Sequence, residues 1–157
     1  MHIFSKALLC AAAFMLAPAA LAMTASQTVE VERVVQNPDG TETLIREPAD
    51  NVTPGARVVY TVAYTNDEAE ARTDLVFTMP VPGELTYVEG SADLPGTDVA
   101  VSVDGGASFG PRGAATVVED GTPRRAEARD ITHIRWTIAG PVAPGTTDAV
   151  SFKGVLN

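Results

Sequence analysis

A single histidine decides whether nucleophilic catalysis is possible in the body of this chain. Apart from His2 at the amino terminus, His133 is the only histidine among the 157 residues, and a Ser-His-Asp site needs one as its general base. In THIRWTI, strand alternation places Ile134 and Trp136 on one face and His133 on the other, beside Arg135. The letters of Gly106-Ala107-Ser108-Phe109-Gly110 fit Gly-x-Ser-x-Gly, but no helix pattern follows them, and a nucleophile elbow needs a strand-to-helix turn. The pattern predicts an exposed strand histidine and no catalytic residues.

Oxygen ligands are the remaining option for a metal site. The one cysteine, Cys10, lies in the amino-terminal apolar segment, so sites built from Cys or several His side chains are excluded. Calcium takes carboxylates and backbone carbonyls. The acidic candidates are Asp104 in SVDGGASFG, the cluster of Asp67, Glu68 and Glu70, and Asp93 with Asp98. None has EF-hand spacing, and Asp-Gly-Gly is first of all a hairpin turn. The sequence leaves a weak calcium site open and predicts no cofactor.

Carboxylate pairs and aromatic side chains have simpler explanations than a sugar-cleaving site. Glycoside hydrolysis needs two acids in one cleft, and 20 acidic residues in a small domain make coincidental pairs common. Most aromatic residues occupy alternating strand positions, so we expect Tyr60, Tyr64 and Trp136 in the core. Phe109 follows a Gly-rich stretch and is expected to be exposed. Arg124–Arg125 is interpreted as a solvated loop tip.

Short strand-like runs separated by Pro and Gly must position these residues. The runs are rich in Val, Thr, Ile and Tyr, and helical spacing of apolar residues is nearly absent. The predicted elements are a hairpin over Thr28–Glu47 turning at NPDG, and strands at Arg57–Thr65, Asp74–Met79, Leu85–Gly90, Asp98–Val103, Ala115–Val118, Thr132–Ile138 and Asp148–Leu156. Between Ala107 and Asp130 we expect an exposed loop around the short strand. The pattern favours two packed antiparallel sheets over a closed barrel.

The first 22 residues, MHIFSKALLCAAAFMLAPAALA, are typical of a secretory signal. A short basic start precedes an apolar run over Leu8–Leu16, and Ala20-Leu21-Ala22 is a small-x-small cleavage site. The apolar run is too short for a transmembrane helix of roughly 20 residues. Cleavage leaves 23–157, and losing Lys6 takes the formal net charge from −9 to −10. Phosphate backbones repel so acidic a chain, so nucleic acid is excluded as a partner, and no later segment predicts a membrane span.

The stretch VTPGARVVYTVAYTN and the following DLVFTMPVPGELTYVEGSA carry a family resemblance. Together they resemble the bacterial surface-protein repeat known as domain of unknown function eleven, from about Asn51 to Asn157. The matching positions are Pro54-Gly55, Tyr60, Asn66, Pro80, Pro82-Gly83, Leu85, Tyr87, Val88 and Gly90-Ser91. The resemblance implies an immunoglobulin-like antiparallel β-sandwich in a secreted or envelope protein, and it supplies no catalytic residues.

These observations predict three segments and two competing functions. The segments are a signal peptide (1–22), an N-terminal hairpin extension (23–50) and an immunoglobulin-like all-β sandwich (51–157). The leading function is a non-catalytic structural or binding module of the bacterial cell envelope, periplasmic or at the cell surface, with envelope proteins or itself as partners. The alternative is a self-assembling subunit or adhesin, calcium-stabilised in one version, in which a strand such as TVEVERVV completes a neighbour's sheet.

Overall fold

The computed structural model describes residues 23–157, so the expected signal peptide lies outside the described residues. In that part of the chain nearly all regular structure is β, with two short 3-10 helices at Arg112–Ala114 and Ala128–Asp130. The strands are β1 (Thr24–Gln36), β2 (Glu42–Pro48), β3 (Arg57–Thr65), β4 (Val76–Pro80), β5 (Leu85–Tyr87), β6 (Thr97–Ser102), β7 (Thr116–Glu119), β8 (Thr122–Arg125), β9 (His133–Ile138) and β10 (Thr147–Leu156). None of the helices described is long and apolar enough to cross a bilayer.

Two antiparallel sheets face each other across a common core. The larger sheet has the strand order β2-β1-β3-β10-β5, and the smaller has β4-β9-β6. A separate hairpin, β7-β8, lies outside both sheets. The predicted all-β antiparallel sandwich is therefore confirmed, whereas the finer immunoglobulin-like description stays a prediction.

Aromatic side chains join the two sheets. Phe152 on β10 stacks on Tyr60 of β3 with ring centroids 5.2 Å apart, and lies 6.5 Å from the ring of Trp136 on β9. Trp136 is fully buried, and its indole N–H donates a 2.9 Å hydrogen bond to the Ala92 carbonyl. A buried indole needs such a partner, because an unpaired buried donor is costly. Tyr64 and Trp136 are buried as predicted, and Tyr60 packs partly buried against the core.

The segment between Ala107 and Asp130 is more ordered than its polar sequence predicts. Residues Thr116–Glu119 pair with Thr122–Arg125 in an antiparallel hairpin. Arg124 donates from Nε to Glu119 at 2.6 Å and from Nη1 to Asp130 at 2.6 Å. The interpretation of Arg124–Arg125 as a solvated loop tip is therefore wrong for Arg124, whose carboxylate partners hold it in place.

The amino-terminal hairpin forms as predicted but begins earlier and joins the larger sheet. Strand β1 pairs with β3 from Thr24 to Glu32 and with β2 from Glu30 to Gln36. From Arg33 onward, β1 pairs with β2 alone among the strands of residues 23–157. We call this two-stranded part, Arg33 to Ile45 with its turn, the β1–β2 ribbon.

Candidate interaction surface

The turn of the β1–β2 ribbon is fixed by its own side chains. The backbone N–H of Asn37 donates to the Thr41 carbonyl at 2.8 Å, and Gly40 adopts a φ of 83°, which glycine tolerates at no steric cost. Asp39 accepts from the Thr41 hydroxyl at 2.6 Å and from the Thr41 N–H at 2.9 Å. These bonds, led by the one from the hydroxyl, lower the pKa of Asp39 below its usual value. The sequence NPDG thus sets the register of the whole ribbon.

Within residues 23–157, β2 is an edge strand whose outer row of backbone groups has no partner strand. The bonds from Ala49 N–H to the Val29 carbonyl and from Asn37 N–H to the Thr41 carbonyl mark the hydrogen-bonded pairs of the β1–β2 ladder. Such pairs alternate along an antiparallel ladder, so the odd-numbered residues of β2 bond to β1. The even-numbered residues Glu42, Leu44 and Arg46 therefore direct their N–H and C=O groups away from the sheet.

The ribbon also exposes apolar side chains on both faces. Val34 and Leu44 lie directly opposite each other and are 60% and 56% exposed. Val35 points to the other face and is 41% exposed. An isolated two-stranded ribbon is marginally stable in water, and clustered exposed apolar side chains mark contact sites. The ribbon has the features of a protein-binding surface.

A buried charge cluster anchors the base of the ribbon. The side chain of Glu32 is 1% exposed, although it lies on the outer face of the larger sheet. Its Oε1 atom accepts from Lys153 Nζ at 2.7 Å and from Arg46 Nη2 at 3.2 Å. Beneath these contacts lies Val59 on the intervening strand β3, which is 1% exposed. The cluster ties β2 and β10 to β1 across the sheet.

The ionisation of Glu32 depends on its two cations. Burial opposes the charged form, but hydrogen bonds and charge from Lys153 and then Arg46 outweigh it, so the pKa of Glu32 is below its usual value. The second carboxylate oxygen, Oε2, is buried without a hydrogen-bond partner among the residues described. Because an unpaired buried acceptor is costly, the cluster fixes the position of Arg46 at some cost in stability.

The predicted histidine lies on the outer face of the smaller sheet, and it is half-buried, not exposed. Its ring packs edge-on against Phe109 with centroids 6.5 Å apart. The guanidinium carbon of Arg135 lies 3.6 Å from the Phe109 ring centroid, so Phe109 is partly covered and the expectation that it is exposed is wrong. His133 Nδ1 lies 3.2 Å from the Thr132 hydroxyl. These contacts form a packed cation–aromatic group beside β9.

Asp104 organises the β6 turn and does not pair with His133. It accepts from the Ser102 hydroxyl at 2.7 Å and from the N–H and hydroxyl of Ser108 at 2.9 and 2.5 Å. These bonds, the Ser102 bond first, lower its pKa far below the usual value. Ser102, Asp104 and His133 lie near one another, but the Ser102 hydroxyl donates to Asp104 and not to His133. They are therefore not connected as in a catalytic triad.

The other acidic candidates are engaged separately. Asp67 accepts from the Thr24 hydroxyl at 2.5 Å, and Glu68 forms an ion pair with Arg72. The backbone carbonyl of Glu70 accepts from the Asn66 amide at 2.9 Å. Over residues 23–157 no group of three or more His, Cys, Asp and Glu side chains is placed to hold a metal ion. The three-residue set of Asp67, Glu68 and Glu70 is therefore not arranged as a metal-binding cluster among the residues described.

A cleft of about 420 Å³ opens at one end of the sandwich. Its titratable lining residues are Tyr64 and Asp148, and the rest are mainly Pro, Gly, Ala and aliphatic residues of the β5–β6 and β9–β10 connections. Burial, followed by the charge of Asp148, raises the pKa of Tyr64. The cleft holds no constellation of acid, base and nucleophile.

The sequence contains a signal for the ribbon that strand alternation alone misses. The side chains of Val29 and Val31 both point to the core face of β1. Val34 and Val35 are adjacent, so their side chains must point to opposite faces. This break in the two-residue period indicates a strand that is apolar on both sides. In β2, Leu44 lies between Glu42 and Arg46 on one face, a pattern that marks a solvent face with an apolar centre.

The fold and this surface define a class: an antiparallel β-sandwich with a projecting edge ribbon. A scan of protein-family models finds no match to the chain, and neither curated proteins nor solved structures give one. The resemblance to the bacterial surface repeat therefore stays a prediction.

Proposed function

We propose that this protein is a non-catalytic, exported module of a bacterial cell envelope that binds another protein through the β1–β2 ribbon. The main observation behind this proposal is the ribbon. It has an outer edge without a partner strand among the residues described and exposes the apolar side chains of Val34 and Leu44, and a buried charge cluster fixes its base. Edge strands of this kind are templates for pairing with another chain. The signal-like leader and the resemblance to a surface repeat support an envelope location.

In the alternative function of self-assembly, a strand such as TVEVERVV, Thr28 to Val35, completes a neighbour's sheet. Strand β1 is paired on both sides from Glu30 to Glu32, and β3 covers it from Thr24. Before Val29, β1 pairs with β3 alone, and from Arg33 it pairs with β2 alone, so parts of β1 keep a free edge among the residues described. Strand β2 offers its outer edge over its whole length, residues 42–48.

Photo-crosslinking in the source cells tests the proposal. A benzophenone-bearing amino acid replaces Leu44 in one strain and Val118 in another. Val118 is 71% exposed on the separate β7-β8 hairpin, so it is a matched apolar control. We expect specific crosslinked protein products from position 44 in the envelope fraction and none of comparable yield from position 118. Equal products from both positions, or none from position 44, would overturn the proposal.

A further inference from the structure

We infer that a second copy of this chain is the partner of the β1–β2 ribbon, joined edge to edge through antiparallel pairing of β2 with β2. This inference rests on the proposed function and specifies its partner. The two larger sheets would then form one continuous sheet across a two-fold axis. Self-complementary contact of this kind is what a symmetric dimer requires.

The backbone of β2 permits this pairing in a defined register. Hydrogen-bonded pairs between the two copies must join residues whose N–H and C=O groups face outward, and these are Glu42, Leu44 and Arg46. With the two-fold axis at Leu44, Leu44 faces Leu44 of the second copy and Glu42 faces Arg46. Each of the three pairs exchanges two bonds, giving roughly six main-chain hydrogen bonds.

Proline disfavours one of the two neighbouring registers. Charge pairing disfavours the other, with its axis at Thr43, because that axis places Glu42 opposite Leu44 instead of Arg46. A two-fold axis at Ile45 also aligns outward-facing residues, but it places Glu42 opposite Pro48, which has no N–H to donate. It also places Leu44 opposite a charged Arg46. With the axis at Leu44, Pro48 faces Gly40 at the turn, beyond the paired segment, so no ladder bond is lost.

The side chains on the outer face are complementary in the same register. Val34, Leu44 and their counterparts in the second copy would form a continuous row of four apolar side chains across the junction. On either side of this row, Glu42 of one copy faces Arg46 of the other. Opposite charges placed directly across an antiparallel pair stabilise it, whereas like charges destabilise it.

The buried cluster prepares Arg46 for this contact. Glu32 holds one guanidinium nitrogen, Nη2, at 3.2 Å, and a guanidinium has five N–H donors, so donors remain for a second carboxylate. Glu42 already accepts from Gln36 Nε2 at 2.6 Å, and a carboxylate accepts several bonds. Both charged groups are thus oriented before the second copy arrives, which reduces the entropy lost on binding.

The contact is small, and each chain carries a formal net charge of −9. Repulsion between copies opposes association at low ionic strength and is screened at physiological salt. We therefore expect a concentration-dependent dimer, as is typical of contacts below the standard interface size.

Cysteine crosslinking tests both the partner and the register. The protein is expressed from the full 157-residue sequence with Cys10→Ala, which removes the chain's one native thiol. Leu44→Cys, Ile45→Cys and Val118→Cys are compared under mild oxidation at physiological salt. In a hydrogen-bonded pair the Cα atoms lie about 5.5 Å apart, within disulfide range, whereas diagonal neighbours lie about 7–8 Å apart. Far-ultraviolet circular dichroism and melting confirm that each variant is folded.

We expect Leu44→Cys to form a covalent dimer at least about tenfold faster than Ile45→Cys, because the two copies of residue 45 are diagonal neighbours in this register. The exposed Val118→Cys control reports random collision. In the cysteine-free chain, Glu42→Arg should convert the sedimenting dimer to monomer, because it places Arg opposite Arg46. Faster crosslinking of Ile45→Cys than Leu44→Cys, or rates for Leu44→Cys no higher than for Val118→Cys, would overturn the inference.

The two proposals fail separately. If Leu44→Cys does not crosslink but the photoreactive residue at position 44 captures a different envelope protein, the second-copy inference is overturned and the proposed function stands. If position 44 captures nothing in cells and the purified chain remains a monomer, both are overturned.

Discussion

Lys153 on β10 reaches over β3 to place its ammonium nitrogen 2.7 Å from Glu32 Oε1 on β1. The two residues come from opposite ends of the described chain, and the strand between them presents Val59 beneath the pair. Arg46 completes the cluster from β2. The contact fixes the base of the ribbon to the body of the sandwich, and it makes stability and surface geometry depend on the same three side chains.

Replacing Glu32 with Gln should lower the free energy of unfolding by about 2 kcal/mol. A buried charged pair that loses one partner is strongly destabilised, and the partial exposure of Lys153 and Arg46 reduces that cost. Urea denaturation measures the change. Glu30→Gln is the matched control, since Glu30 lies two residues earlier on the same face, and we expect it to change stability by less than about 0.5 kcal/mol. Equal effects from both variants would contradict the assigned role of the cluster.

Asp130 should make folding stability depend on pH between about 4 and about 2. Hydrogen bonds from Arg124, followed by the Glu127 N–H, lower the pKa of Asp130 from 3.8 to about 2. A depressed pKa contributes stability that is present above the unfolded value near 4 and is lost as the pH falls through about 2. Asp130→Asn should therefore cost about 1–2 kcal/mol at pH 7.

The pH dependence distinguishes this contribution from a loss of packing. The stability difference between the parent and Asp130→Asn should shrink as the pH falls from 4 toward 2, when followed by denaturation at each pH. Asp98→Asn, at an exposed position on β6, should show no such trend. A difference that stays constant over this pH range would show that the carboxylate charge is not the cause.

A side chain at Gly154 should destabilise the fold, because β5 packs closely against β10 there. A Cβ atom at this position would lie 3.1 Å from both Cβ and Cδ1 of Leu85. Gly154→Ala is expected to cost about 1–2 kcal/mol through forced movement of Leu85. Thermal unfolding measures the effect, and Gly83→Ala, which meets nothing within 4 Å, is the control. A stabilised Gly154→Ala variant would contradict the observed close packing.

Asn66 should contribute strongly to folding stability at the end of β3. Its fully buried amide donates to the carbonyls of Glu70 and Val142 at 2.9 Å each, and its oxygen accepts from the Glu68 N–H at 3.1 Å. Asn66→Ala removes these bonds and leaves buried backbone groups unpaired, so we expect a loss of about 2–3 kcal/mol. Chemical denaturation beside Asn51→Ala, an exposed asparagine, provides the comparison, and equal stabilities would refute the assignment.

The fold class was predictable from sequence because strand alternation and turn residues are local signals. The alternation of Tyr60 and Tyr64, and the Trp136 face of THIRWTI, predict core positions, of which Tyr64 and Trp136 are buried and Tyr60 packs against the core. The hairpin at NPDG was predictable for the same reason, since Pro38 and Gly40 set the turn by their backbone preferences.

Contacts between distant segments were not predictable in this way. Strand β8 was missed because Thr122–Arg125 contains Pro123 and no apolar alternation, and its order comes from Arg124 bridging Glu119 and Asp130. The candidate surface was also missed. Whether β1 or β2 forms the sheet edge depends on the pairing of β1 with β3, which no local pattern specifies. The Glu32–Lys153 pair depends on the same long-range register.

The most direct test of the central claim is amide hydrogen exchange of β2 at increasing protein concentration. We predict that the amides of Glu42, Leu44 and Arg46, which face away from β1, exchange rapidly in dilute protein and become protected as copies associate. The odd-numbered amides of Thr43 and Ile45 should be protected throughout. Rapid exchange of the even-numbered amides at every concentration at which the protein stays folded would contradict pairing through this edge.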